Sequence, residues 1–431
     1  MNIAIRVVIL FLIIFSFRIP VLYNTTFLSI LLSTCYYLYT RRAIPFDFFW
    51  HKYNFIVLGG LLVTCVICLG ITIFHHQYDI VMLKVLLVQL SMLGALVYAL
   101  PILIPKGEEG IAFERSALII CYTFALQGII QLSGFFIPSW GEFLVEMKGE
   151  GVAKQVLTGY ENLYFRGYAL TGSPFFELPS AFGVAFILFF RLLLVRGYSF
   201  FPGYISYIIF ILFFLGSMFS GRTAFVGLAI ALIMCVCILK NPGRIVLSVL
   251  KNMAVVIFFA ILLFQFLPKE IKLQIEEDVL PFAFEFYYNY TEKGELKTAS
   301  SDVMLNAHYF LPKEETLLIG DGRYMNKTGN NYMYTDAGYM RAVLYGGGFF
   351  FLWLVLYQSL YFIRPMTRSY LQRKNVEDYS DFLCFLFLFG YLFFLEFKSE
   401  AIGRQNITMV LLLFIGCAYM VRDCYRFGNE K

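Results

Sequence analysis

Six cations stand where positive charge is hard to place in so apolar a chain: Arg166, Arg222, Arg323, Arg341, Lys398 and Arg404. Arg166 precedes an apolar run, Arg222 sits in the tight turn FSGRTAF, and Arg341 lies inside an apolar helix one turn past Asp336. Lys398 and Arg404 share the short stretch EFKSEAIGRQN, and Arg323 belongs to LLIGDGRY. Charge in or beside hydrocarbon is kept mainly where a partner or a function holds it. Guanidinium donates paired, planar hydrogen bonds that match phosphate oxygens, so cations converging in space would bind a strongly anionic group. Four also have a structural reading: Arg222 reaching lipid headgroups, Arg166 paired with Glu161 or Glu177, Arg404 with Glu400, and Arg341 with Asp336. Candidates for proton transfer near these cations are Asp336, His308 and Glu177. Their structural readings are a helix N-cap, a surface histidine and an arginine partner.

What must position these residues is a membrane domain. Of the 431 residues, 60% are hydrophobic and 15% charged, with mean hydropathy +0.72; soluble domains carry about 25% charged residues. Apolar runs near the length of a bilayer-spanning helix recur from end to end. The runs predict an all-α bundle of about twelve spans, at 3–17, 21–39, 55–74, 80–104, 112–132, 174–194, 203–219, 221–239, 247–267, 337–362, 380–396 and 403–421. Residues 1–431 then form a single membrane domain. Lys and Arg near Arg41–Lys52, Lys106–Arg115, Arg191–Arg196, Lys240–Lys251, Arg364–Lys374 and the C-terminal tail fall on one side, which makes that side and both termini cytoplasmic. The opposite side carries two loops, about 133–173 and 268–336. The second is rich in Tyr, Asn and Gly, which suits sugars as well as ordinary interfacial loop chemistry.

Other chemistries find little support. The nine cysteines sit in or beside apolar runs, and Cys65/Cys68 lacks a second half of a zinc motif. His75-His76 is a weak metal signal, and no metal is expected. No phosphate-binding glycine loop, hydrolase elbow or dinucleotide fingerprint is present, and Gly346-Gly347-Gly348 reads as a close-packing element inside a helix. The net charge of +5 carries no aromatic-interleaved basic face, so no nucleic-acid partner is expected.

Three patches carry a family resemblance. TDAGYMRAVLYGGGFFFLWLVLY (335–357), preceded by LLIGDGRY (317–324), resembles the end of the large periplasmic loop of bacterial O-antigen polymerases. RGYALTGSPFFELPSAFGVAF (166–186) resembles the Arg-Gly helix entry of that family and of the related O-antigen ligases, and SGRTAF (220–225) its Ser-Arg element. The resemblance implies a GT-C-type membrane fold in the bacterial inner membrane. It implies an inverting glycosyltransferase that needs no metal, nucleotide or other cofactor. The donor would be a growing glycan on undecaprenyl pyrophosphate and the acceptor a single lipid-linked repeat unit. A chain-length regulator and a flippase are expected partners. By position, Arg166, Arg222 and Arg341 fall on substrate-binding arginines of the family. The ligase branch has a histidine near the end of the large loop; here Thr335-Asp336 stands there, which favours a polymerase. The alternatives are an O-antigen ligase and a flippase or transporter of lipid-linked oligosaccharide.

Overall fold

The computed structural model describes residues 3–19, 23–40, 51–148, 164–173, 175–196, 203–238, 264–294, 298–371 and 376–428. Fourteen helices organise the account: α1 (Ile3–Phe15), α2 (Thr25–Tyr39), α3 (Lys52–Phe74), α4 (Val81–Leu103), α5 (Ala112–Phe136), α6 (Pro138–Glu146), α7 (Glu177–Arg196), α8 (Gly203–Ser220), α9 (Thr223–Ile238), α10 (Glu285–Lys293), α11 (Glu314–Ile319), α12 (Gly338–Leu371), α13 (Val376–Lys398) and α14 (Asn406–Gly428). Between α1 and α2 a two-stranded hairpin pairs Arg18–Ile19 with Tyr23–Asn24. Asn24 then caps α2, its side chain accepting from the amides of Thr26 (3.1 Å) and Phe27 (3.3 Å).

Seven of the described helices are long and apolar enough to cross a membrane, joined by shorter apolar helices at Ile3–Phe15, Tyr204–Ser220 and Thr223–Ile238. The chain is thus an all-α membrane protein. The most apolar of the seven, α3, has only 33% of its window buried inside the protein, whereas α14 has 89%. An apolar helix that protein leaves uncovered is covered by lipid, and one that protein surrounds forms the centre of the bundle. α7 and α14 are that centre: Ser180–Leu192 and Ile407–Met420 are buried residue after residue. α7 meets α9 backbone to backbone, because any Cβ on Gly227 would fall on Gly183.

The expected spans coincide with described helices except 247–267, which lies almost wholly outside the described residues. The largest differences fall in α12. α12 runs to Leu371 instead of 362, carrying Pro365 inside it, so the cations Arg364 and Arg368 sit on its last turns. The same helix is broken near its start. Gly346 (φ −135°, ψ 18°) and Gly347 (φ 68°, ψ −168°) leave helical geometry, so the glycine run is an interruption of the helix as well as a packing element. The freed carbonyls of Leu344 and Tyr345 accept from the amides of Asp321 (2.7 Å) and Gly322 (3.0 Å). At Gly347 the positive φ and the nearness of the Leu318 carbonyl leave no room for a Cβ.

The region 268–336, expected as a loop, is built largely of short helices: Lys269–Gln274, Leu280–Ala283, α10, Ala299–Val303 and α11. At the opposite end of the bundle, two cations used above as topology markers have a second role. Arg191 and Arg422 each pair with both Glu114 and Asp381, with three of the four groups fully buried and the fourth, Arg422, nearly so. The Phe113 ring lies 4.5 Å from one guanidinium and 5.1 Å from the other. This closed quartet ties α5, α7, α13 and α14 together.

Candidate functional site

The residues singled out from sequence gather at the other end of the helices, in two adjoining groups. The first forms where the entry to α7 meets the α8–α9 turn. The Arg166 guanidinium donates to the carbonyls of Ser220 (3.0 Å) and Phe175 (2.6 Å). Arg222 pairs with Glu285 of α10 and donates to the Ser300 hydroxyl (3.3 Å). Both guanidinium groups lie over one ring, Phe282, at 5.1 and 5.3 Å from its centroid. Lys398, the last residue of α13, donates to the Thr223 hydroxyl (3.3 Å) beside Arg222 and lies 5.8 Å from the Phe176 ring. Both arginine charges act on its ammonium. Three cations therefore meet, with Glu285 the carboxylate against them among the described residues, and burial pushes the Arg222 guanidinium below its ordinary pKa.

The second group is centred on Tyr324. Its ring stacks under Arg341 at 4.0 Å and beside Arg404 at 5.4 Å. Its hydroxyl donates to Glu400 and accepts from Arg404 Nε at 3.0 Å. Burial, then the Glu400 charge, hold that hydroxyl well above the usual phenol range, so it stays a neutral donor. Arg341 has Glu400 as its ionic partner at 3.3 Å, so Glu400 replaces Asp336 in the expected pair. Arg341 is 5% exposed, and none of its guanidinium nitrogens has a hydrogen-bond partner among the described residues. Arg404 also donates to Asn331 Oδ1 at 3.2 Å.

Through Asn331 the second group reaches two proton-transfer candidates. Asn331 Nδ2 donates to Asp336, and the Asp336 amide donates to His308 Nδ1 at 3.3 Å. His308 Nε2 lies 4.0 Å from Asp336 Oδ2. Asp336 therefore spends its side chain on Asn331 rather than on capping α12, and His308 is a packed residue with 12% side-chain exposure, not a free surface one. The third candidate, Glu177, opens α7, where Oε1 accepts from the Asn406 amide at 2.9 Å; it is 6% exposed. It does not pair with Arg166. Arg323 is turned away from both groups: its Nε donates to Gln77 at 2.9 Å, on the α3–α4 turn.

Three positions that sequence did not single out, Asp79, Glu285 and Phe282, hold this arrangement together with Glu400. Asp79 accepts from the amides of Tyr324 (2.7 Å) and Met325 (2.8 Å), pinning the 317–324 stretch to the α3–α4 turn. Glu285, Phe282 and Glu400 supply the counter-charges and the shared ring. A cavity of about 460 Å³ adjoins the site, with Glu177 and Asn406 in its wall, and the named arginines of both groups lie outside its lining. Among the described residues no cluster of three metal-ligating side chains occurs. Comparison with family models, with curated proteins and with solved structures finds no match to this chain.

Proposed function

We propose that this protein is an O-antigen polymerase: a twelve-span, GT-C-type glycosyltransferase of the bacterial inner membrane with both termini cytoplasmic. It extends surface polysaccharide on the periplasmic side. The reading rests on the three sequence patches, and the observation that carries it furthest is the meeting of Arg166, Arg222 and Lys398 at one end of the helices. Guanidinium and ammonium groups gathered in a partly dehydrated setting suit a lipid diphosphate.

In this reading Arg166, Arg222 and Lys398 hold the donor's diphosphate, and Arg341 and Arg404 support it from the adjoining group. They stabilise the negative charge that the diphosphate gains as the C1–oxygen bond of the donor glycan breaks. The acceptor's sugar hydroxyl attacks C1 from the opposite face, which inverts configuration. Its proton passes to a carboxylate or imidazole at the same end; Asp336 with His308, and Glu177, are the candidates for this. The 268–336 region positions the two glycans.

The direct test is purified protein in detergent supplied with undecaprenyl-pyrophosphate-linked repeat units and no nucleotide sugar. Lengthening of the lipid-linked glycan supports a polymerase. Transfer only to lipid A-core would make it a ligase, and movement across a vesicle without lengthening would make it a flippase.

A further inference from the structure

The cavity beside Glu177 has a make-up of its own. Its volume, about 460 Å³, falls in the range of small-molecule sites, about 300–1,000 Å³. One part of its wall is polar: Arg18 and Asn24 from the α1–α2 hairpin, Lys148 after α6, and Ser173, Glu177 and Asn406. The rest is apolar: Ile14 and Phe15 at the end of α1, and Val88 and Met92 on α4. Val88 is 47% exposed and faces outward from a membrane-crossing helix, so the apolar wall continues to the lipid side.

The hydrogen bonding of the polar wall is unfinished in a particular way. Lys148, 8% exposed, donates to the carbonyls of Leu144 (2.9 Å) and Gly167, which engages two of the three N–H groups of an ammonium. Asn406 Oδ1 is buried and has no hydrogen-bond partner among the described residues. The Glu177 carboxylate accepts from the Asn406 amide and from Ser173, leaving lone pairs over. The wall thus offers cationic donors at Arg18 and Lys148 and acceptors at Glu177 and Asn406, next to an apolar exit. A ligand that satisfies both carries an anion and hydrogen-bond donors on one head, with a hydrocarbon tail.

We infer that this cavity is a second binding site, for a lipid whose headgroup combines a phosphate with a hydroxyl or ammonium donor. The phosphate faces Arg18 and Lys148, the donor faces Glu177 and Asn406 Oδ1, and the chain leaves past Val88. Two sources share this chemistry: a bulk phospholipid with an ethanolamine or glycerol head, and a polyprenyl-diphosphate sugar. A choline head has the phosphate but no donor, so it is discriminated against. The site does not depend on the transferase reading.

The test is native mass spectrometry of the purified full chain with added lipids, counting retained molecules. The wild type is expected to retain phosphatidylethanolamine or phosphatidylglycerol at least tenfold better than phosphatidylcholine of the same chain length. Val88→Trp, which fills the exit, should abolish that retention. Asn406→Ala, which keeps the backbone amide that holds Glu177, should erase the discrimination against choline. Displacement of the bound phospholipid by a short-chain polyprenyl-diphosphate disaccharide assigns the site to a lipid-linked sugar, and persistence of the phospholipid assigns it to bulk lipid. Equal retention of all three headgroups, or retention unchanged in folded Val88→Trp, overturns the inference.

Discussion

The two ends of this bundle use the same residue types to opposite effect. At one end Arg191 and Arg422 meet Glu114 and Asp381, two cations to two anions, closed by direct ion pairs and sealed around Phe113. At the other, Arg166 and Arg222 share the Phe282 ring, Lys398 joins them through Thr223, and Glu285 is the carboxylate seen against them among the described residues. A fully buried quartet with matched charge answers its own charges, and its value is in holding helices in register. A cluster of three cations is costly for the fold by itself and gains when an anion arrives. The Tyr324 group falls between: Arg341 and Arg404 share Glu400, yet the Arg341 nitrogens remain without hydrogen-bond partners.

The comparison predicts a graded set of outcomes. The largest belongs to the closed quartet: Asp381→Ala leaves two buried guanidinium groups sharing Glu114 alone and should destabilise the protein by about 3–5 kcal/mol. Thermal melting in detergent reads this, and an unchanged midpoint would dissolve the distinction between the ends. Next, Arg222→Ala should leave melting nearly unaltered while weakening diphosphate binding by about 1.5–3 kcal/mol, the range for hydrogen bonds to charged groups. In cells that variant should make single-repeat surface glycan, and Arg222→Lys should also be impaired because a point charge does not replace a planar fork. Long chains at normal abundance in either variant would remove Arg222 from the donor site.

A smaller effect, about 1–3 kcal/mol of stability, is expected for Gly347→Ala, where a Cβ is forced into a positive-φ position against the Leu318 carbonyl. Hydrogen exchange should show the 317–324 stretch loosening from α12 in that variant. A pH effect, read as a slope rather than as a loss, belongs to Lys148, a cation buried without a carboxylate. Burial pushes its ammonium from 10.5 down to about 7. Below pH 7 folded and unfolded chains both hold the proton, and stability does not vary through this group. Between about 7 and 10.5 the unfolded chain holds a proton that the folded chain has released, so stability rises with pH. Lys148→Met should flatten that rise in melting curves taken across the interval.

Much of this molecule can be read from its sequence because hydrocarbon enforces a simple code. The runs at 55–74 and 80–104 became α3 and α4 with ends displaced by only a few residues, since length and apolarity alone specify a spanning helix. The misplaced cations were equally legible, because a charge beside hydrocarbon stands out wherever its partner is. Their partners were not. Arg191 and Asp381 are 190 positions apart, and Tyr324 meets Glu400 across 76. No local pattern encodes such pairings, so Arg191 and Arg422 read as loop charges and Arg341 was matched to the nearby Asp336. The glycine run was legible as a special place but not as a helix break, because the break depends on the 317–324 stretch supplying amides to the freed carbonyls. Lys148 gave no signal at all: its importance comes from burial beside a cavity that five separate segments enclose.

The central claim is that the cations gathered at one end grip a lipid diphosphate. It is tested most directly by binding of farnesyl diphosphate to the purified protein, with farnesol and farnesyl monophosphate as controls. Arg166→Ala, Arg222→Ala and Lys398→Ala should each weaken diphosphate binding at least tenfold in proteins that melt normally, with farnesol not binding. Diphosphate affinity that is the same in all three variants as in the wild type would contradict the account.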